Sequence, residues 1–131
     1  MTRWLLDTNA VIDVLDDPHS RTAKRMRRRA ESDIAISSIV VHELFYGAFK
    51  SQRRDRNLAI VDGLRFQVLD FDGSDARHAG EIRATLAQAG KTIGPYDILI
   101  AGQARARCLT LVTHNTAEFS RVPGLDVVDW R

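Results

Sequence analysis

Several oxygen-bearing side chains stand where the apolar runs of this sequence begin or end. Asp7 directly follows Trp4-Leu5-Leu6, and Glu43 sits between Val40-Val41 and Leu44-Phe45. Asp97 heads Ile98-Leu99-Ile100-Ala101, while Thr113, His114, Asn115 and Glu118 follow Leu109-Thr110-Leu111-Val112. Each has an ordinary explanation. Asp7, Thr8 and Asn9 are all good helix caps, although one helix needs only one. Glu43, three residues after Val40, lies at the margin of an apolar helix face or just beside it in solvent. At that margin a carboxylate is costly unless paired or bound to a cation. Asp97 is either a first-turn acid favoured by the helix dipole or the head of the face that carries Ile100, Ala101 and Ala104. Asn115 or Thr116 suits the cap of a short helix holding Glu118. Together these residues supply three or four oxygen ligands to one crevice. Oxygen donors without Cys or clustered His select Mg²⁺ or Mn²⁺ over zinc. Carboxylates this close raise one another's pKa unless a cation intervenes. Such a site best supports phosphodiester hydrolysis, with ions ~3.5–4 Å apart activating water and stabilising the leaving oxygen.

The elements that must position these groups follow from periodicity and turn residues. Short apolar runs at 4–6, 34–36, 66–69 and 109–112 read as strands, with a fifth, short edge strand at 125–128. Helical patterns fill 9–15, 21–30, 40–49, 54–64, 74–89 and 96–107. Pro95 stands in the first turn of the last, where proline is favoured. In the helix at 74–89 the inner stripe is Ala76, Ala79, Ile82, Leu86 and Ala89. Strands alternating with helices give right-handed crossovers, hence the α/β class and a mostly parallel sheet of four or five strands. Ligands of such sheets bind beyond the carboxyl ends of the strands, where Asp7, Thr113 and Asn115 fall.

The chain's 131 residues and 14.7 kDa fit one domain. Its 44% hydrophobic and 27% charged residues are ordinary for a globular chain, against disorder or coiled coil. No apolar run approaches the ~18–20 residues of a membrane span. An acid at position 7 argues against a secretory signal. The one cysteine, Cys108, makes neither an intrachain disulfide nor a cysteine zinc site. A cytoplasmic protein with no membrane association is the expectation. The net charge is +2, with 16 Arg against 3 Lys. Arginine's planar fork suits phosphate or an acidic partner, though a GC-rich genome gives the same bias. Six of the nine residues from 21 to 29 are basic. Arg25, Arg28 and Arg29 are candidates to contact nucleic-acid phosphates or an acidic partner segment, and a solvated helix face is the plain alternative. His19, His42 and His78 read as surface or structural residues, and His114 as a neighbour of the crevice without an essential role.

The segments LLDTN, ISSIVVHELFYGA, GPYDILIAGQA and LVTHNTAEFSRVPGLDVVDW, in this order, resemble the PIN-domain family, and within it the VapC toxins of bacterial toxin–antitoxin pairs. The resemblance runs from Leu5 to Trp130. It implies an α/β/α sandwich and a metal-dependent endoribonuclease cutting structured RNA (tRNA or rRNA). By this resemblance Asp7, Glu43 and Asp97 bind Mg²⁺ or Mn²⁺. The family's usual acid after the fourth strand is replaced here by Asn115, with Glu118 placed to supply the missing charge. Asn9 and Thr113 match positions that orient ligands or the attacking water, and Ser38 is expected to do the same for Glu43. A homodimer and a VapB-type antitoxin lying over the site are also implied. Trp4, Phe45, Tyr46 and Phe49 would serve that groove if exposed, but core positions are their ordinary reading.

Rival readings remain on the residues alone. A non-catalytic member that only binds RNA or a partner would account for Asn115. A phosphoacceptor module would use Asp7, Asp70 and Thr113, but no Lys follows the last strand, and Glu43 and Asp97 go unexplained. A phosphatase with an aspartate nucleophile would need an acid where Asn9 stands.

Overall fold

The apolar runs assemble into one sheet in a computed structural model that describes residues 1–131. Its strands are β1 (Trp4–Leu6), β2 (Ile34–Ser37), β3 (Gln67–Leu69), β4 (Thr110–Val112) and β5 (Val127–Val128). They lie in the order β3-β2-β1-β4-β5 and every pairing is parallel. Leu6 aligns with Ile36 on one side and Val112 on the other. The chain reverses its direction of travel across the sheet between β1 and β4, which makes their carboxyl ends the natural ligand crevice. The central strands are buried on both faces, which is why they read as unbroken apolar runs rather than alternating ones.

Between the strands run α1 (Thr8–Asp16), α2 (Arg21–Arg27), a 3-10 turn (Glu31–Asp33), α3 (Ser38–Lys50), α4 (Arg54–Asp62), α5 (Gly73–Gln88), α6 (Pro95–Ala106) and α7 (Thr116–Phe119). Right-handed crossovers place α1 to α4 on one face and α5 and α6 on the other. The packing agrees: α1 meets α2 and α3, α3 meets α4, and α5 lies against α6. No helix is long and apolar enough to cross a membrane.

Several elements differ from the sequence reading: the helix read over 54–64 ends at Asp62, the edge strand covers only Val127–Val128, and three further differences have a clear local cause. The basic helix stops at Arg27, and Ala30 turns extended and exposed, because the chain must swing through the 3-10 turn into β2. The third helix starts two residues early because Ser37 Oγ accepts the Ile39 N–H at 3.0 Å and caps it. The inner stripe of α5 is Asp75, Ala79, Ile82 and Leu86, with Ala76 and Ala89 exposed. The helix starts from a capping box between Asp72 and Asp75, which sets a phase that turns the acid inward.

Helix α6 is buried nearly all round, from Ile98 through Ala104. It can approach α5 closely because residue 102 is glycine. A methyl group there would stand 2.7 Å from both Cβ and N of Ala79. Helix propensity alone makes Gly→Ala favourable by ~1 kcal/mol, whereas overpacking costs ~1–3 kcal/mol. Backbone cannot give way as a flexible side chain does, so Gly102→Ala is expected to destabilise. A lower urea midpoint with unchanged slope is the expected observation.

Candidate active site

Asp7 leaves β1 with its N–H still bonded to Val112 O at 3.0 Å, so its backbone belongs to the sheet. Its carboxylate does two things. Oδ1 accepts the Ala10 N–H at 2.9 Å and caps α1. Oδ2 accepts the hydroxyl of Thr113, which follows β4. Thr113 Oγ1 in turn accepts the Asn115 N–H at 2.9 Å. The cap and the crevice therefore share one side chain. Asp7 is only 4% exposed and Thr113 is fully buried. Burial pushes the Asp7 carboxyl above its ordinary pKa, against the hydrogen bonds from Thr113 and Ala10 and the nearby His114, which hold it down.

Glu43 lies half-buried on α3, and its Oε1 accepts the Thr8 hydroxyl at 2.8 Å. Thr8, the first residue of α1, thus holds the side chain that Ser38 was expected to orient. Ser38 Oγ instead accepts the Phe71 N–H at 3.1 Å and ties α3 to the loop after β3. Ser38 and Glu43 are five residues apart, whereas side chains on a helix meet at spacings of three or four. Nothing local marks Thr8, because its partner lies 35 residues away on another helix.

Asp97 is the third residue of α6, half-buried, and Gly94 leaves it room: a methyl at residue 94 would stand 3.2 Å from Asp97 Oδ2. Its pKa is raised from 3.8 to about 6, first by burial and then by the negative charges of Asp7, Glu43 and Glu118. Four carboxylates from four different elements therefore share one electrostatic neighbourhood. Asn115 stands at the N-cap position of α7, but its side chain makes no capping bond and its amide is uncommitted. Asn9 is exposed on α1 and bonds to none of these groups. At the rim, the His42 and Tyr96 rings pack 5.0 Å apart, so the sequence neighbours of Glu43 and Asp97 join α3 to α6. His114 Nε2 lies 3.2 Å from Thr22 Oγ1 and 3.7 Å from Asp13.

Other candidates lie elsewhere. Asp70 is exposed at the end of edge strand β3, two strand spacings from β1 or about 10 Å. Its carbonyl is taken by Gln103 and Arg107. The phosphoacceptor set of Asp7, Asp70 and Thr113 does not assemble. Arg25, Arg28 and Arg29 line a depression with Trp4 at the amino end of β1, not the crevice, because α2 runs away from it. Tyr46 and Phe49 are 62% and 52% exposed rather than core, while Trp4 and Phe45 are half-buried. A groove of about 450 Å³ runs from Glu43 between α1, α3 and α4, lined by Ile12, Leu15, Leu44, Ile60 and Val61.

The donor set fits a hard divalent cation by atom type and by charge: all oxygens, with mutual repulsion already lifting Asp97. As arranged, no three His, Cys, Asp or Glu groups converge into a ligand shell. A bound cation would have to draw the carboxylates together.

Comparison with known proteins agrees with this geometry. Residues 4–125 match the PIN domain family. The chain is 45% identical over 132 residues to the "tRNA(fMet)-specific endonuclease VapC" of Shigella flexneri and to that of Salmonella typhimurium, covering 99% of each chain. A crystal structure of DNA-bound VapBC from Salmonella typhimurium contains a chain that superimposes with TM-score 0.94 at 44% identity, covering both chains completely. VapBC2 from Rickettsia felis, solved with a fragment of its promoter DNA, gives 0.89 at 35% identity over 99% of this chain and 100% of that one. The four carboxylates around the β1–β4 crevice, the sheet order and these likenesses place the chain in the PIN domain family, on its VapC branch.

Proposed function

We propose that this chain is the toxin of a toxin–antitoxin pair, an endoribonuclease that hydrolyses phosphodiester bonds of structured RNA with Mg²⁺ or Mn²⁺. The observation that carries the reading is the gathering of Asp7, Glu43, Asp97 and Glu118 at the point where the sheet changes direction. Asp7, Glu43 and Asp97 would hold the metal, with the Asn115 amide or Glu118 at the fourth position. When bound, the metal supplies activation of the attacking water and stabilisation of the leaving oxygen, giving a 5′-phosphate and a 3′-hydroxyl. The residues of the chain prepare for this. Thr113 fixes one oxygen of Asp7, Thr8 fixes one oxygen of Glu43, and the open space beside Gly94 accommodates Asp97. Exposed Ile12, Leu15 and Ile60 line the apolar groove beside Glu43, which suits an antitoxin segment laid over the site. A homodimer and a cytoplasmic location complete the reading.

Protonation of Asp97 removes a ligand charge, so metal and proton compete for it. Cleavage should fall as pH drops below about 6, the pKa of that carboxyl. The whole profile should move to lower pH when Mg²⁺ is raised. A profile indifferent to Mg²⁺ concentration contradicts this.

Two relatives carry the name of tRNA(fMet)-specific endonucleases, so initiator tRNA is the first substrate to test. Purified protein freed of any bound partner is incubated with initiator tRNA and total RNA in Mg²⁺, Mn²⁺ or EDTA, beside Glu43→Gln. Discrete metal-dependent fragments, absent with the variant, are expected. RNA binding without cleavage in either metal would favour a binding-only member, a reading that rests on Asn115 in place of an acid.

A further inference from the structure

The crevice that would cut RNA repels it. Four carboxylates lie in one electrostatic neighbourhood there, so affinity for a polyanion has to come from another surface. At the amino end of β1, three residues and about 10 Å along the strand from Asp7, lies a depression of about 730 Å³ lined by Arg3, Trp4, Arg25, Arg28, Arg29 and Asp33. None of its four arginines is paired with an acid. Asp33, the one acid in the lining, faces the N-terminal ammonium at 3.6 Å.

This is more than a solvated basic face. Trp4 and Trp130 pack with ring centres 5.3 Å apart. The Arg29 guanidinium lies over both, 4.8 Å and 4.3 Å from the ring centres, and Nη1 donates to Arg25 O at 2.7 Å. A cation is thereby fixed in place by aromatic faces and a carbonyl with no counter-ion. Arg3 lies 5.5 Å from the Trp4 ring centre on the same site. Arg25 makes only a 3.5 Å contact to a backbone carbonyl, and the Arg28 side chain has no hydrogen-bond or ion-pair partner, so both forks are free to take a ligand.

Helix α2 joins this depression to the crevice. Near its start, Thr22 contacts His114, the neighbour of Asn115, and its end delivers Arg28 and Arg29 to the depression. The seven residues of α2 span about 10 Å, with Arg21, Lys24, Arg25 and Arg27 exposed along the way.

We propose that the Arg3–Arg25–Arg28–Arg29 depression is a phosphate-binding site that grips the RNA backbone a few nucleotides from the scissile bond, with α2 as the track between them. The inference rests on the ribonuclease reading and adds where the substrate's affinity resides. An acidic protein segment is the competing occupant. RNA is favoured because a carboxylate-lined cleft that must take RNA needs a remote anchor for it.

The test measures binding of intact tRNA in EDTA, where no cleavage is needed, across a salt series. Arg25→Ala/Arg28→Ala is compared with wild type and with Arg77→Ala/Arg83→Ala, an equal loss of charge on exposed α5 positions. The expected result is at least tenfold weaker binding for the first variant only, with a salt slope shallower by about 1–2. In metal its KM should rise by the same factor while kcat stays within about twofold. Equal affinity and slope in the two double variants overturn the proposal, and if wild type still cleaves, the nuclease reading survives. RNA binding through Arg25 and Arg28 without cleavage in any metal supports the site and removes the nuclease. No RNA binding by wild type overturns both. Tight binding of poly-glutamate that depends on Arg25 and Arg28, with RNA binding unaffected, assigns the depression to an acidic protein and also overturns the proposal.

Discussion

Asp97→Asn is expected to abolish RNA cleavage and to make the metal-free protein more stable. The amide keeps the shape of the side chain and removes its charge. In the folded chain Asp97 binds its proton more tightly than in the unfolded chain, with a pKa of about 6 against 3.8. Between these values the native state holds the extra proton, so stability falls as pH rises from about 4 to about 6. Above about 6 the full penalty of an ionised Asp97 is present. At 1.36 kcal/mol per pH unit its upper bound is about 3 kcal/mol. Asp97 is only half-buried, and solvent screening reduces this to ~1–2 kcal/mol. In EDTA at pH 7.5 the variant should melt several degrees above wild type, and the difference should vanish below about pH 4. Mg²⁺ should raise the Tm of wild type and not of the variant, because ligand stabilisation follows affinity for the native state. Cleavage should fall by at least ~10²–10³-fold, the scale of losing one group that stabilises charge in a transition state. A merely structural first-turn acid predicts the opposite sign, since its loss removes a favourable dipole interaction of ~0.3–1 kcal/mol. Full cleavage by folded Asp97→Asn would place the active site elsewhere.

Asp7 and the residues after β4 were legible because they follow apolar strands, and a parallel sheet puts all strand ends of one polarity on one side, while Asp97 was legible as the acid that heads an apolar helix. Glu43 was legible as an acid at the edge of an apolar helix. The supporting hydroxyls were not. Thr8 reads as one of three consecutive cap candidates, and its bond to Glu43 exists only because α1 packs against α3. Ser38 looked nearer in sequence but belongs to the loop after β3. The arginines of residues 21–29 were visible as a charge run. Their separation from the crevice depends on where α2 ends and on Trp130, which reaches Trp4 across 126 positions of chain. Asp75 was missed for a different reason. The stripe 75, 79, 82, 86 has helical spacing, yet an acid at its head counts against burial, and apolar Ala76 stands next to it. Only Arg107 and Gln103, far along the chain, make the buried charge tolerable.

Asp75→Ala is expected to be the most destabilising of these substitutions. Asp75 is fully buried. Its Oδ2 accepts from Arg107 Nη2 at 3.0 Å, Gln103 Nε2 at 3.1 Å and the Asp72 N–H at 3.0 Å, and Oδ1 accepts from Arg107 Nε at 3.2 Å. Burial pushes its pKa up, but the bonds from Arg107, Asp72 and Gln103 outweigh that and leave it below the usual value. A depressed carboxylate contributes stability at neutral pH that is lost as pH falls through the ordinary Asp range and below. Truncation leaves the Arg107 guanidinium without its main partner, removes half of the capping box of α5, and deprives Gln103 of an acceptor where its Oε1 already has no partner. Breaking a buried pair from one side costs ~3–5 kcal/mol, against a typical total of ~5–15 kcal/mol. Tm should fall by at least ~10 °C. Arg107→Ala should cost a similar amount, because it strips the fully buried Asp75 carboxylate of its counter-ion and leaves it only the Gln103 and Asp72 donors. In the double variant the two losses should not add, since the second removal meets no intact pair. The carboxylate crevice does not include Asp75, so at a temperature where the variant is folded its kcat should match wild type. A loss below about 1 kcal/mol would mean that solvent enters between α5 and α6 and that the network is ornamental to the fold.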